Sequence, residues 1–140
     1  MIYFDNAATS YPKPREVINE INKAFTIYGA NPGRSGHDMS MNTALAVYSA
    51  RETLNTFFDG YGCEYVSFTA NCTQSLNMAI KGILKKGDHV IISSLEHNSV
   101  LRPVVKMVEQ GLISYSVFVV SQNEEETLFN LKKEIRSNTK

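Results

Sequence analysis

From about Glu64 onward the sequence alternates short β-rich runs with helical patterns, and this alternation limits the fold more than any other feature. Parallel strands need a crossover of a dozen or more residues, and an amphipathic helix is the usual one. Residues 89–93 (His-Val-Ile-Ile-Ser) read as the clearest strand, with 65–69 as a strand before it and 113–120 as one after it. Leu76, Ala79, Ile80, Ile83 and Leu84 fall at offsets 0, 3, 4, 7 and 8, one apolar stripe on a helix that ends near Gly87 and covers a sheet face. Val100, Leu101, Val104, Val105 and Val108 repeat the pattern in a second helix closed by Gly111. Pro103 is expected in its first turn, where a missing N–H costs little. Leu128, Leu131 and Ile135 mark a third helix over about 127–136.

Upstream, two helices follow one another with no strand between them. One covers about 15–28 (Val17, Ile18, Ile21, Ala24, Phe25) and the other about 40–58 (Val47, Ala50, Leu54, Phe57, Phe58). The nine residues 29–37 between them hold three Gly and one Pro and read as a loop. Residues 1–60 are therefore expected to form an N-terminal arm with its loop and lead-in helix, and 61–140 the first part of a larger α/β domain. Three parallel strands have exposed edges, whereas such sheets bury both faces and run to about five or more strands, so the expectation is an incomplete fold.

Composition narrows the function classes. Fourteen Lys+Arg balance fourteen Asp+Glu, which gives no general polyanion-binding face, so nucleic acid is not expected. The apolar runs fall far short of the roughly 20 residues that span a bilayer, and the start of the chain lacks a basic leader, so a cytoplasmic chain without a membrane segment is expected. Cys63 and Cys72 have no metal-ligand spacing and read as reduced, mostly buried thiols.

Two segments could carry chemistry. Residues 68–75 (Phe-Thr-Ala-Asn-Cys-Thr-Gln-Ser) join an expected strand to a helix N-terminus. Free N–H groups and the positive helix end favour an anion there, with Thr73 and Ser75 able to add O–H donors. A phosphate would fit, and so would the plainer reading in which Asn71 or Thr73 only caps the helix. Residues 94–99 (Ser-Leu-Glu-His-Asn-Ser) follow the next strand at its carboxyl end, where open α/β sheets bind ligands. His97 there could stack on a flat cofactor ring or move a proton, or could be a cap. Near the start, the small residues around Asn6, Ala7 and Ala8 suit close approach to a ligand or a partner subunit. In the glycine-rich loop, Arg34 offers a bidentate donor for carboxylate or phosphate.

Five stretches occur in order: Tyr-Phe-Asp-Asn-Ala-Ala-Thr at 3–9, Asn-Pro-Gly-Arg-Ser-Gly-His at 31–37, Phe-Thr-Ala-Asn-Cys-Thr-Gln-Ser-Leu-Asn at 68–77, Gly-Asp-His-Val-Ile at 87–91 and Glu-His-Asn-Ser-Val-Leu-Arg-Pro at 96–103. Together they resemble the class V aminotransferase family, most nearly its cysteine desulfurase and selenocysteine lyase branch. The resemblance implies the N-terminal part of a fold-type I pyridoxal-phosphate-dependent transferase: a parallel β-α-β sheet preceded by a two-helix arm. It implies pyridoxal 5′-phosphate as cofactor, L-cysteine or a similar small amino acid as substrate, a homodimer, and a possible sulfur acceptor protein. By the same resemblance Cys72 and Thr73 hold the cofactor phosphate, His97 stacks on the ring and assists proton transfer, and Asn6, Ala7, Ala8 and Arg34 line the substrate entrance. The family's cofactor-holding lysine, pyridinium-pairing Asp and catalytic cysteine match no position here and are expected after Lys140. A transferase or lyase acting on another small amino acid, and a non-catalytic phosphate-binding or oligomerisation module, are the alternative readings.

Overall fold

The computed structural model describes residues 2–34 and 36–140. The chain forms two compact units, Met1–Ser67 and Phe68–Lys140.

In the first unit, α1 (Arg15–Thr26) and α2 (Asp38–Phe57) lie in the expected places. No residue of α1 is buried, and Val17, Ile18, Ile21 and Phe25 are all exposed. Hydroxyl groups tie α2 to the loop before it. Buried Ser40 donates to the Asn31 carbonyl at 2.8 Å and Thr43 to the Tyr28 carbonyl at 2.6 Å, while His37 caps the helix through Nδ1, which accepts from the Ser40 N–H at 3.3 Å. Ser35, within this loop, lies outside the described residues.

The second unit runs α3 (Cys72–Ile83), β1 (His89–Ser93), α4 (Asn98–Glu109), β2 (Ser114–Phe118) and α5 (Glu124–Glu134). Strands β1 and β2 are parallel, in register from His89 opposite Ser114 to Ser93 opposite Phe118, with α4 as the crossover. Each strand is entered through a left-handed glycine, Gly87 (φ 93°) before β1 and Gly111 (φ 67°) before β2, a conformation other residues adopt at a cost. Leu84, Ile92, Val104, Met107 and Ile113 make the core, with Val104 fully buried and Ile80, Val90 and Val100 packed against it. The buried face of α4 is therefore the row Ser99, Pro103, Val104 and Met107, rotated from the valine stripe read in the sequence.

The chain has the expected α/β order, and four details differ from the sequence reading. Residues 65–69 are not a strand: a 3-10 turn occupies Cys63–Tyr65, closed by Tyr65 N–H to the Gly62 carbonyl at 3.1 Å and Val66 N–H to the Cys63 carbonyl at 3.2 Å. Strand propensity reflects packing on a sheet, and Tyr65 and Phe68 remain exposed, so local turn chemistry prevails. Pro103 is the sixth residue of α4 rather than part of its first turn, because the helix begins at Asn98, capped by His97. Cys72 is exposed at the start of α3, while Cys63 is half-buried. Ile135 falls past the end of α5 and is exposed.

His89 is fully buried. Its Nδ1 meets Thr139 Oγ1 at 2.9 Å and its Nε2 meets Ser116 Oγ at 3.0 Å. Arg136 Nη2 donates to the same Ser116 hydroxyl at 2.9 Å. Main-chain bonds from His89 N–H to Asn138 (2.9 Å) and from Lys140 N–H to His89 (3.0 Å) lay Thr139 parallel beside His89 on the side of β1 away from β2. Among the described residues no helix is long and apolar enough to cross a membrane.

Candidate functional site

The start of α3 is set by a reciprocal cap. Asn71 takes an extended backbone, its Oδ1 accepts from the Gln74 N–H at 2.9 Å, and Gln74 Oε1 accepts from the Ala70 N–H at 2.9 Å. This leaves the Cys72 and Thr73 amides at the positive end of the helix, where the first N–H groups have no intrahelical partner. The hydroxyls sort themselves by proton count. Thr69 donates to the Asn71 carbonyl at 3.0 Å, so Ser75, 2.5 Å from Thr69 Oγ1, must donate to it and has no proton left for a ligand. Of the two hydroxyls expected to serve as donors, only that of Thr73 remains.

The start of α4 is set by His97. Its Nδ1 accepts from the Ser99 N–H at 3.1 Å and lies 2.9 Å from Ser99 Oγ. A backbone N–H can only donate, so Nδ1 is the unprotonated nitrogen and the neutral ring carries its proton on Nε2. His97 is thus a cap, and it is also a cleft residue. A cleft of about 420 Å³ opens between α3 and α4, with Thr73 and His97 both in its lining. Lys81 from α3 and Arg102 and Lys106 from α4 also line it, giving the cleft positive walls. Lys106 shares its charge with Glu109 at 3.2 Å, an exposed pair of little energetic weight.

Thr73 and His97 are therefore brought together as expected from the sequence. Cys72 sits beside Thr73 as the first residue of α3, outside the cleft lining, so only its main-chain N–H is placed for an anion. Asn6, Ala7, Ala8 and Arg34 belong to the first unit and are exposed. There Asn6 Oδ1 accepts from the Tyr11 N–H at 3.1 Å and closes the turn that Ala8 N–H begins on the Asp5 carbonyl at 3.1 Å. In the same unit Tyr48 is pushed up to about 12, first by its hydrogen bond to the Cys63 thiol and then by the charges of Cys63 and Glu52. Buried His89, by contrast, is held below the usual histidine value by desolvation and then by the Arg136 charge. The sequence reading assigns no role to Asn77, Lys81 or Arg102, which line the cleft. Their signal was present: Thr73, Asn77 and Lys81 recur every four residues, a polar row beside the apolar stripe of α3.

The family model described as "Aminotransferase class-V" matches residues 2–140. The chain belongs to the class-V aminotransferase family. Among curated proteins it is 35% identical over 112 residues to a "Probable cysteine desulfurase" of Borreliella burgdorferi, covering 76% of this chain and 26% of that protein. It is 32% identical over 143 residues to a "Probable cysteine desulfurase" of Ureaplasma parvum, covering 100% of this chain and 35% of that protein. The class-V chain thus spans about a third or less of the length of these curated relatives. The apo cysteine desulfurase of Thermococcus onnurineus superposes with a TM-score of 0.81 at 26% identity, over 95% of this chain and 34% of that one. A structure described as a NifS-like protein superposes with a TM-score of 0.81 at 24% identity, over 99% and 38%, and attests the shared fold.

Proposed function

We propose that this class-V chain is the N-terminal portion of a pyridoxal-phosphate-dependent cysteine desulfurase-like enzyme, one that converts L-cysteine to L-alanine and passes sulfur to an acceptor, working in the cytoplasm as a homodimer. The observation that carries the reading is the meeting of Thr73 and His97 on one positively walled cleft, at the starts of two helices. The donor set suits pyridoxal 5′-phosphate. Two main-chain N–H groups and the Thr73 hydroxyl match a phosphate, and an imidazole fixed through Nδ1 offers a flat face to an aromatic ring.

The bound cofactor would supply an electron sink that weakens the bonds around the substrate's α-carbon. The chain's own part is binding and orientation. The amides of Cys72 and Thr73 fix the phosphate end, Lys81 and Arg102 draw the dianion in, and His97 limits ring tilt and can pass the Nε2 proton. Asn6, Ala7, Ala8 and Arg34 are assigned to the substrate entrance. By the family resemblance alone, we assign neither the lysine that would hold the cofactor covalently nor the thiol that would accept sulfur to any lysine or cysteine of this chain.

Titration with pyridoxal 5′-phosphate, followed by absorbance, tests the reading. Thr73→Ala removes a charge-assisted hydrogen bond of about 1.5–3 kcal/mol, so affinity is expected to fall on the order of 10- to 150-fold. Unchanged binding would overturn the phosphate assignment. With L-cysteine and added cofactor the 140-residue chain is expected to release no alanine or sulfide. Turnover that borohydride abolishes would refute the exclusion of this chain's lysines.

A further inference from the structure

Pro103 leaves α4 with a defect at a definite atom. It has no N–H, so the Ser99 carbonyl, four residues earlier, is without its α-helical donor, and the proline ring crowds that same carbonyl. Ser99 is buried, with 7% of its surface exposed, so solvent is a poor substitute. The replacement comes from the neighbouring helix. Asn77 Nδ2 donates to the Ser99 carbonyl at 3.4 Å and, with its second proton, to the Thr73 carbonyl of its own helix at 3.0 Å.

We infer that Asn77 is a positioning residue that clamps the first turn of α3 to the first turn of α4, setting Thr73 and His97 at a fixed separation across the cleft. The contacts form a continuous chain. Thr73 is bonded to Asn77, Asn77 to Ser99, and Ser99 to His97 Nδ1 through both its N–H and its hydroxyl. An amide is required, since both contacts are donations from one NH₂ to carbonyl oxygens. An aspartate of the same shape would set a charge against them. The role rests on the proposed cofactor reading only in what the fixed separation is for; the clamp itself stands on the hydrogen bonds.

A double-mutant cycle on the whole chain tests it, because Pro103→Ala restores the N–H that Asn77 replaces. Asn77→Ala is expected to lower the folding equilibrium constant roughly 3- to 10-fold more in the Pro103 background than beside Ala at 103. In Asn77→Asp the His97 ring nitrogen resonances are expected to shift and pyridoxal 5′-phosphate to bind roughly 3- to 10-fold more weakly, with the Pro103→Ala background recovering part of each. Additive stability effects together with unmoved His97 resonances would overturn the clamp. If no version of the chain binds pyridoxal 5′-phosphate, the cofactor reading fails, and the cycle and the resonances still decide whether the clamp exists.

Discussion

His97 does two things that one substitution confounds and two substitutions separate. Its Nδ1 caps α4 by accepting from Ser99, and its ring lines the cleft. Alanine at 97 removes both. The N–H and hydroxyl of buried Ser99 then lose their acceptor, a cap loss of about 1 kcal/mol within a 0.5–2 kcal/mol range. For a unit the size of Phe68–Lys140 that corresponds to a melting-point fall of about 4–8 °C. Asparagine at 97 places Oδ1 where Nδ1 stood, on the same Cγ, and asparagine is among the best capping residues, so His97→Asn should melt within a degree or two of the parent. The ring is absent in both variants. Stacking of this kind contributes about 0.5–1.5 kcal/mol, so both should bind pyridoxal 5′-phosphate roughly 2- to 10-fold more weakly. Thermal melts by circular dichroism and cofactor titration on the same preparations provide the two readouts. If His97→Asn binds the cofactor like the parent, the ring touches nothing and His97 is only a cap. If His97→Ala melts like the parent, the cap is energetically empty.

Two further outcomes follow from the core of the second unit. Val104→Ala removes two methyl groups from a side chain with no exposed surface, and about 2–3 kcal/mol of stability should be lost in urea titration; a change below about 0.5 kcal/mol would mean that the core is not packed as described. Folded His89 has a depressed pKa, so the unfolded chain binds more protons, and stability should be complete above the ordinary histidine value near 6.5 and fall as pH drops below it. Urea midpoints between pH 7.5 and 5 measure this, and His89→Asn should flatten the trend.

The helices were legible in the sequence because apolar spacing reports burial on one face, and β1 because Val-Ile-Ile between turn residues has few other uses. The segment around Tyr65 and Phe68 misled for the complementary reason: aromatic and β-branched residues announce a strand whether or not a sheet face is there to receive them, and Gly62 with its 3-10 turn decided the backbone instead. Thr73 and His97 could be found because a residue that follows a turn and opens a helix has few places to go. The place of Asn77 on the polar row of α3 is legible from its spacing, but its clamping task is not, since that depends on a proline on another helix, 26 residues away. The pairing of His89 with Thr139 is equally non-local, and a histidine inside a strand gives no local sign of the hydroxyls that will flank it.

The two-stranded sheet also sets a rhythm in time along the backbone. The Ser114 N–H is engaged by the Asp88 carbonyl and the Phe118 carbonyl by the Ser94 N–H, so in a parallel register every second residue of β2 faces β1 and the intervening Tyr115 and Val117 amides face the other way. Hydrogen exchange along β2 should therefore alternate between slow and fast from one residue to the next. The same alternation on β1 is interrupted at His89, whose outward N–H is covered by Asn138, so the first residue of that strand exchanges with the tempo of the interior rather than that of an edge.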